Sequence, residues 1–487
     1  MKGKKVARSI GTLVLGSVAW AALSGFQDPV PQVPLPGTPQ LPQMPPKAPP
    51  PRVQDLAVPP NITLPSANNP DPSVANAPLT ADEAARIALK LQPTIAGAIG
   101  AIETQKGRTR QIGSAMNPQF ILGAGYNSVS SLSGNGVAVP QAPNGTTVPG
   151  VSPVFTYSGV AEIRQLLYDF NQTRNLVRQS ESLEDVAKLT LTRTQLDLVQ
   201  AVKSAYYAYL SSERLVRVNE QNVANRQRQL DLANARLRYE IGLPSDVVTA
   251  ETSKVQGILA LNIARDAASQ ARVNLLLQIG VDPLTPINVS DMAEATLPDN
   301  DVKSLTVDAL KSRPEIQAAQ RSLVASRYGL DAAKSLNMPS IYASVSAGLA
   351  GNQFPLKDNA AALGFGFQFP LGDGGQRAGA VQSAKGQITT AQASLQSTVL
   401  SIQNDVTASF LELQSAAQRV SIADAEVANA REGVRVSEGR YSAGLGTFLD
   451  ITNAQALLLG ALTDQETVTN ALNQARTRLR HAIGQML

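Results

Sequence analysis

The sequence predicts a mainly α-helical fold with a β-barrel part: a duplicated unit that carries four membrane strands and long coiled-coil helices in each chain. Three observations predict it: an internal repeat, two proline-free helical stretches of unusual length, and short segments in which apolar and polar residues alternate.

The repeat is read from offsets. Ala88-Leu89-Lys90 with Pro93 and Ile95 returns as Ala309-Leu310-Lys311 with Pro314 and Ile316, and Pro118 returns as Pro339, each 221 positions on. Further along, Asp169 and Gln172 return as Asp373 and Gln376, Asp246-Val247 as Asp450-Ile451, and Ile279-Gly280 as Ile483-Gly484, each 204 positions on. The shorter second offset puts an insertion in the first copy, and the Gly/Ser/Pro/Asn-rich stretch Ser130 to Pro153 is where it is expected. So long a period implies two-fold pseudo-symmetry within one chain, not a solenoid of short repeats.

Each copy changes its hydrophobic period in the same order. Residues 80–117 and 305–337 read as helix, opened by Thr80 and Thr306 with an acid in the first turn. Strands follow. In the second copy Ile341, Ala343, Val345, Ala347 and Leu349 alternate with Tyr342, Ser344, Ser346 and Gly348, and Phe365, Phe367 and Phe369 alternate with Gly364, Gly366 and Gln368. In the first copy the apolar sets are Phe120, Leu122, Ala124, Tyr126 and Phe155, Tyr157, Gly159, Ala161, Ile163, the last opposed by Glu162 and Arg164. Strands of about ten residues with aromatics at their ends, in an exported chain, fit a transmembrane barrel. Four strands are too few to close one, so several protomers would have to share it.

The helices come next. No proline interrupts Gln172 to Arg238 or Gln376 to Arg440, and at 1.5 Å per residue each would run about 100 Å. Ala187, Leu191, Thr194, Leu198, Ala201, Ala205 and Ala208 step alternately by four and three, a heptad seam whose small residues favour close packing in a many-helix tube. Each long helix ends in a glycine turn, Tyr239 to Leu243 and Tyr441 to Leu445, and a second helix returns from Asp246 to Gly280 and from Asp450 to Gly484. Both acids sit near helix N-termini, where capping alone would justify them.

Composition excludes most chemistry. The 487 residues hold no Cys and one His, His481, so thiolate metal sites, His-rich zinc or iron sites and cysteine nucleophiles are ruled out, and no cofactor is expected. Gly-Lys occurs only as Gly3-Lys4, so there is no P-loop, and the scattered acids offer no catalytic pair; an enzyme is not expected. The formal charge of +4 is carried by Lys2, Lys4, Lys5 and Arg8, which precede any acid, and the remainder balances, so no nucleic-acid partner is indicated. Those residues begin a secretory signal over residues 1–25, whose apolar run Ile10 to Leu23 is too short to span a bilayer. Residues 26–78, with 17 of the 31 prolines, read as a disordered extended spacer. The repeats are then expected at 79–290 and 291–487.

With Gly444-Leu445-Gly446-Thr447-Phe448-Leu449-Asp450-Ile451-Thr452-Asn453-Ala454-Gln455 at the second turn, this doubled order resembles the TolC-type outer-membrane efflux family over residues 79–487. The resemblance implies a homotrimer with a twelve-stranded barrel in the outer membrane, continued by an α-helical periplasmic tunnel. Its partners would be a periplasmic adaptor, docked on the helix turns, and an inner-membrane transporter. The chain would be the passive outer-membrane channel of a tripartite export system for drugs and small molecules. It also implies roles by position. Gly242, Leu243, Gly444 and Leu445 would form the adaptor-facing tips. Asp246 and Asp450 would lie at the periplasmic entrance, with Tyr441 helping to hold it shut. Gly446 stands where the family often has a latching arginine, and Asn453 where a second acid is expected, which predicts at most one carboxylate ring from the second repeat. Two alternatives share these features: a type I protein secretion duct, and an exported trimeric coiled-coil structural or surface protein with a soluble strand head.

Overall fold

Proline 93 and proline 314 decide where the first helices break. A proline has no N–H to donate and forces the residue before it out of the helical region. Gln92 (ψ 123°) and Arg313 (ψ 127°) are accordingly extended. The single helices expected over 80–117 and 305–337 are therefore pairs: α1 (Ala81–Leu91) with α2 (Pro93–Gly113), and α5 (Val302–Ser312) with α6 (Pro314–Ser335). Thr80 and Glu83 close a capping box at the start of α1. The computed structural model describes residues 78–132, 138–139, 151–290, 294, 301–351, 356 and 358–486; the expected signal and almost all of the proline spacer lie outside them.

Five strands form one antiparallel sheet: β1 (Gln119–Leu132), β2 (Ala138–Val139), β3 (Val151–Tyr168), β4 (Ser340–Gly351) and β5 (Asp358–Gln368), in the order β2-β1-β3-β4-β5. Both ends of the Ser130–Pro153 stretch, expected to be an insertion, are strand, with β1 and β3 paired out to Leu132 and Val151. The pleat sorts side chains by the register. Phe120 pairs Ile163, Ile163 pairs Val345, and Val345 pairs Leu363, so all four lie on one face. Leu122, Leu349, Phe365 and Phe367 share it, and from Phe120 to Phe367 this apolar face is exposed in the single chain. The opposite face carries Glu162, Arg164, Ser158, Ser344, Ser346 and Tyr342.

Strand passes to helix through residues with positive φ, Phe170 and Asn171 in the first repeat and Gly374 and Gly375 in the second. Behind each turn an aspartate caps the helix. Asp169 Oδ2 accepts from Thr173 N at 2.7 Å, and Asp373 Oδ2 accepts from both Arg377 N and its Nε at 2.7 Å. Those bonds, the guanidinium's first, hold the Asp373 carboxyl down at about 2.

The helices are α3 (Gln172–Arg238), α4 (Pro244–Ile279), α7 (Gln376–Ser442) and α8 (Phe448–Ala482). α3 and α7 have 67 residues each, about 100 Å at 1.5 Å per residue. α4 folds back on α3 and α8 on α7, while α6 packs against both long helices and α8 also against α3. Burial on α3 does not follow the heptad seam. Leu198 and Ala205 are buried, but Ala187, Leu191, Thr194, Ala201 and Ala208 are half-buried. The deep burial is a wide patch from Leu196 to Ser211, because α1 and the 281–290 segment pack across the middle of the helix. There Tyr206, fully buried, donates to the carbonyls of Leu79 (2.8 Å) and Ser290 (2.6 Å). The second repeat has its own cluster of Leu305, Ile316, Ile402, Val406 and Leu479.

Beside Tyr206 is a buried charged group. Lys203 pairs with Asp82 at 2.5 Å and Glu294 at 3.3 Å, Arg480 meets Glu294 at 3.1 Å, and Tyr207 donates to Glu294 Oε2 at 2.8 Å. Glu294 lies in the segment between α4 and α5, so this one carboxylate ties that connection to both α3 and α8.

Candidate functional site at the helix turns

Both long helices end by the same backbone device. Ile241 N donates to Arg236 O at 3.0 Å and Leu445 N to Arg440 O at 2.8 Å, a six-residue closure that needs one left-handed residue. That residue is Glu240 (φ 60°) in the first turn and Gly444 (φ 76°) in the second. The turns are therefore equal in length, with Gly242 corresponding to Gly446 and Leu243 to Thr447. Matching the two Gly-Leu pairs, as the sequence invites, displaces the comparison by two residues. Gly242 and Gly446 serve close approach instead: a Cβ would fall 2.9 Å from Leu237 N at the first and 3.2 Å from Arg440 Cβ at the second. A side chain at 446 would require the end of α7 to give by a few tenths of an ångström.

The returning helices start differently. Leu243 is the N-cap of α4 without a side-chain bond, with Pro244 in its first turn. Thr447 caps α8 in a reciprocal box: Thr447 Oγ1 accepts from Asp450 N at 3.3 Å, and Thr447 N donates to Asp450 Oδ2 at 2.9 Å. These bonds hold the exposed Asp450 carboxyl below the usual aspartate range. Asn453, three residues on, is exposed.

Asp246 and Tyr441 meet. The Tyr441 hydroxyl donates to Asp246 Oδ2 at 3.2 Å, and burial first, then the carboxylate, push the phenol's pKa up. The Arg236 guanidinium lies 4.3 Å from the centre of the Tyr441 ring, within cation–π range, and also donates to the Tyr441 carbonyl. Phe448 meets the same ring edge-on at 5.9 Å, and Leu230, Ala233, Ala250 and Ile451 complete a small core. Tyr441 is thus held from both repeats. Its partner Arg236 was not singled out in the sequence, although it precedes Arg440 by 204 positions. Asp450 is not in this group. Below the core the tip is apolar and open: Tyr239, Ile241, Leu243, Leu445 and Leu449 are each more than 60% exposed. Among the described residues no group of three acids or histidines could hold a metal ion.

Residues 84–281 and 305–485 match the profile of a family described as outer membrane efflux protein. The chain is 28% identical over 305 residues to the outer membrane efflux protein BepC of Brucella suis, a match covering 60% of this chain and 64% of that protein, just under two thirds of its length. It is 24% identical over 362 residues to protein CyaE of Bordetella pertussis, covering 73% and 74%. Among solved structures, that of the outer membrane protein VceC from Vibrio cholerae superposes with a TM-score of 0.68 at 19% identity, covering 83% of this chain and 96% of that one. The fold is therefore that of this outer membrane protein.

Proposed function

The chain belongs to the outer membrane efflux protein family, whose members are outer-membrane channels and not enzymes, and from that premise we propose that it is the passive outer-membrane duct of a tripartite export system. Three copies would close one barrel. Each supplies a sheet with four long strands, whose edge β5 is open and whose edge β1 is covered only at Ser130 and Ser131 by the short β2, and exposed edges of that kind call for a neighbouring strand. The observation that carries the reading is the continuous exposed apolar face from Phe120 to Phe367, opposed by a face bearing Glu162 and Arg164. A soluble strand head on a coiled-coil fibre would leave that face in water; a bilayer covers it.

The helices then extend the barrel by about 100 Å on the periplasmic side. A periplasmic adaptor would seat on the apolar tips formed by Leu243 and Leu445 with Tyr239 and Ile241, joining the duct to an inner-membrane transporter. Drugs and small molecules are the cargo class, and selection falls to the transporter. Asp246, Asp450, Asn453 and Tyr441 would form the periplasmic entrance, Tyr441 as the bolt between repeats.

Deletion of Gly444-Leu445 tests the docking. The expected result is loss of drug export with heat-modifiable, detergent-extracted trimers still present; undiminished resistance overturns adaptor docking at the tips. Release of the protein from cells by salt alone, without detergent, overturns the membrane duct itself.

A further inference from the structure

The polar face of the sheet holds little charge, and what it holds is placed. Across β1 to β5 the only ionisable acids and bases are Glu162, Arg164 and Asp358, and Asp358 begins β5 at the end away from the helices. Arg164 pairs across to Gln119, the first residue of β1, and to Ser344 near the start of β4, so it lies at the helical end of the sheet. Its guanidinium is 3.1 Å from Glu162, and the cation is the more exposed member, 56% against 25% for the carboxylate.

An aromatic ring flanks it. The Arg164 guanidinium carbon is 5.9 Å from the centre of the Tyr342 ring. That ring lies flat across Gly366, where a Cβ would fall 2.0 Å from Tyr342 Cζ; any other residue at 366 would lift it from the wall. With Ala115, Gln119, Leu166 and Gln368, these two side chains line a recess of about 300 Å³. Gln165 Nε2 donates to Met116 O at 2.6 Å, fixing the turn that precedes β1 to β3.

A planar guanidinium takes a carboxylate through two parallel N–H bonds, and a phenol ring held against a wall offers a stacking surface beside it. We propose that this recess is a transit subsite for aromatic carboxylates, the carboxylate on Arg164 and the ring along Tyr342. The proposal rests on the duct reading, since the polar face lines a lumen only if copies close a barrel, which would then hold three such sites in one ring. Glu162 competes for the guanidinium, so residence is short. A conduit requires that of any site within it, because a solute must bind favourably enough to enter and weakly enough to leave.

The test is single-channel recording from purified protein in planar bilayers, with 1-naphthoate added on the extracellular side, from which the barrel is reached without passing the helix turns. Voltage-dependent block by 1-naphthoate, and much weaker block by acetate, is expected. Arg164→Gln should raise the half-blocking concentration about tenfold, the loss expected of a charge-assisted contact. Glu162→Gln should lower it, because the competing carboxylate is gone, and damage to the barrel would not produce opposite signs in the two variants. Tyr342→Leu should narrow the gap between naphthoate and acetate. Conducting channels that naphthoate does not block, or that block equally in wild type, Arg164→Gln and Glu162→Gln, overturn the subsite and leave the duct standing. Protein that forms no ion-conducting pores overturns the duct, and the subsite with it.

Discussion

The hydroxyl of Tyr441 on α7 donates to Asp246 Oδ2 on α4 at 3.2 Å, joining the tips of the two repeats through side chains 195 positions apart. The bond is internal to one chain, so a single protomer already carries a bolt between its own helix pairs. Opening that separates the tips must break it and must also lift the Tyr441 ring from the Arg236 guanidinium.

Tyr441→Phe keeps the ring and its contact with Phe448 and removes only the donor. One hydrogen bond contributes about 1 kcal/mol net, or roughly a fivefold shift in a two-state equilibrium. We expect the open fraction in single-channel recordings to rise by about that factor, and Asp246→Leu, which removes the acceptor from the same bond, should also raise it. Titration gives an independent sign. The phenol's pKa is raised in the folded chain by burial and by Asp246, so the folded state holds its proton where the unfolded state has lost it. The contribution is complete below the ordinary tyrosine value of about 10 and falls as pH rises through the higher folded value. Wild type should therefore lose stability above pH 10 more steeply than Tyr441→Phe.

Much of this was legible in the sequence, for reasons that differ by element. The repeat offsets placed every long helix within two residues or so, because proline-free stretches bounded by Asp169, Asp373 and the glycine turns have few other readings. The apolar sides of β1, β3, β4 and β5 were legible because the strand period is two and one face is apolar but for a few residues such as Gln165 and Asn359. The turn equivalence was carried by the constant offset of 204 on both sides of the turn, but the more conspicuous Gly-Leu pairs point elsewhere, because Glu240 adopts the left-handed conformation that Gly444 adopts in the other copy and a residue name does not reveal that. Arg236, Lys203 and Glu294 were equally hidden. Each acts on a partner far off in the chain, and nothing local marks a lysine on α3 as 2% exposed.

That lysine makes a strong prediction. Removing one member of a buried ion pair strands the other, at a cost of about 3–5 kcal/mol. Glu294→Gln leaves Lys203 with Asp82 alone and removes the carboxylate from Arg480 and Tyr207. We expect a loss of about 3 kcal/mol, seen as a lower melting temperature of the helical signal, with strand content unchanged. Thermal unfolding followed by circular dichroism checks it; an unaltered melting temperature would mean that the connection between repeats is not held there.

The two faces of the sheet should respond oppositely to the same substitution. Leu363 is 70% exposed on the apolar face, paired with Val345, and an arginine there would meet lipid at about 2–4 kcal/mol near the bilayer midplane. Ser346, one residue along β4 from Val345, points to the other face, beside Glu162 in the register. Leu363→Arg should lower the yield of heat-modifiable trimers in the outer membrane, and Ser346→Arg should leave it near wild type. Equal yields from the two variants would contradict the assignment of lipid and lumen faces.

Asp450 separates a local role from an electrostatic one. Its carboxylate completes the capping box with Thr447, and those bonds lower its pKa, so it stays ionised below the usual aspartate range. In a trimer the exposed charge would recur three times around one entrance, and like charges between low-dielectric walls add, concentrating cations. Asp450→Asn removes the charge but leaves an oxygen that can accept from Thr447 N, so the start of α8 should survive. The reversal potential under a potassium chloride gradient should then move toward zero, with conductance little changed. In wild type the same movement should occur only below about pH 4, as acid titrates the carboxyl through its depressed value, and the cap's contribution to stability is lost over the same interval. A reversal potential that is the same in Asp450→Asn as in wild type would leave Asp450 a helix cap and nothing more.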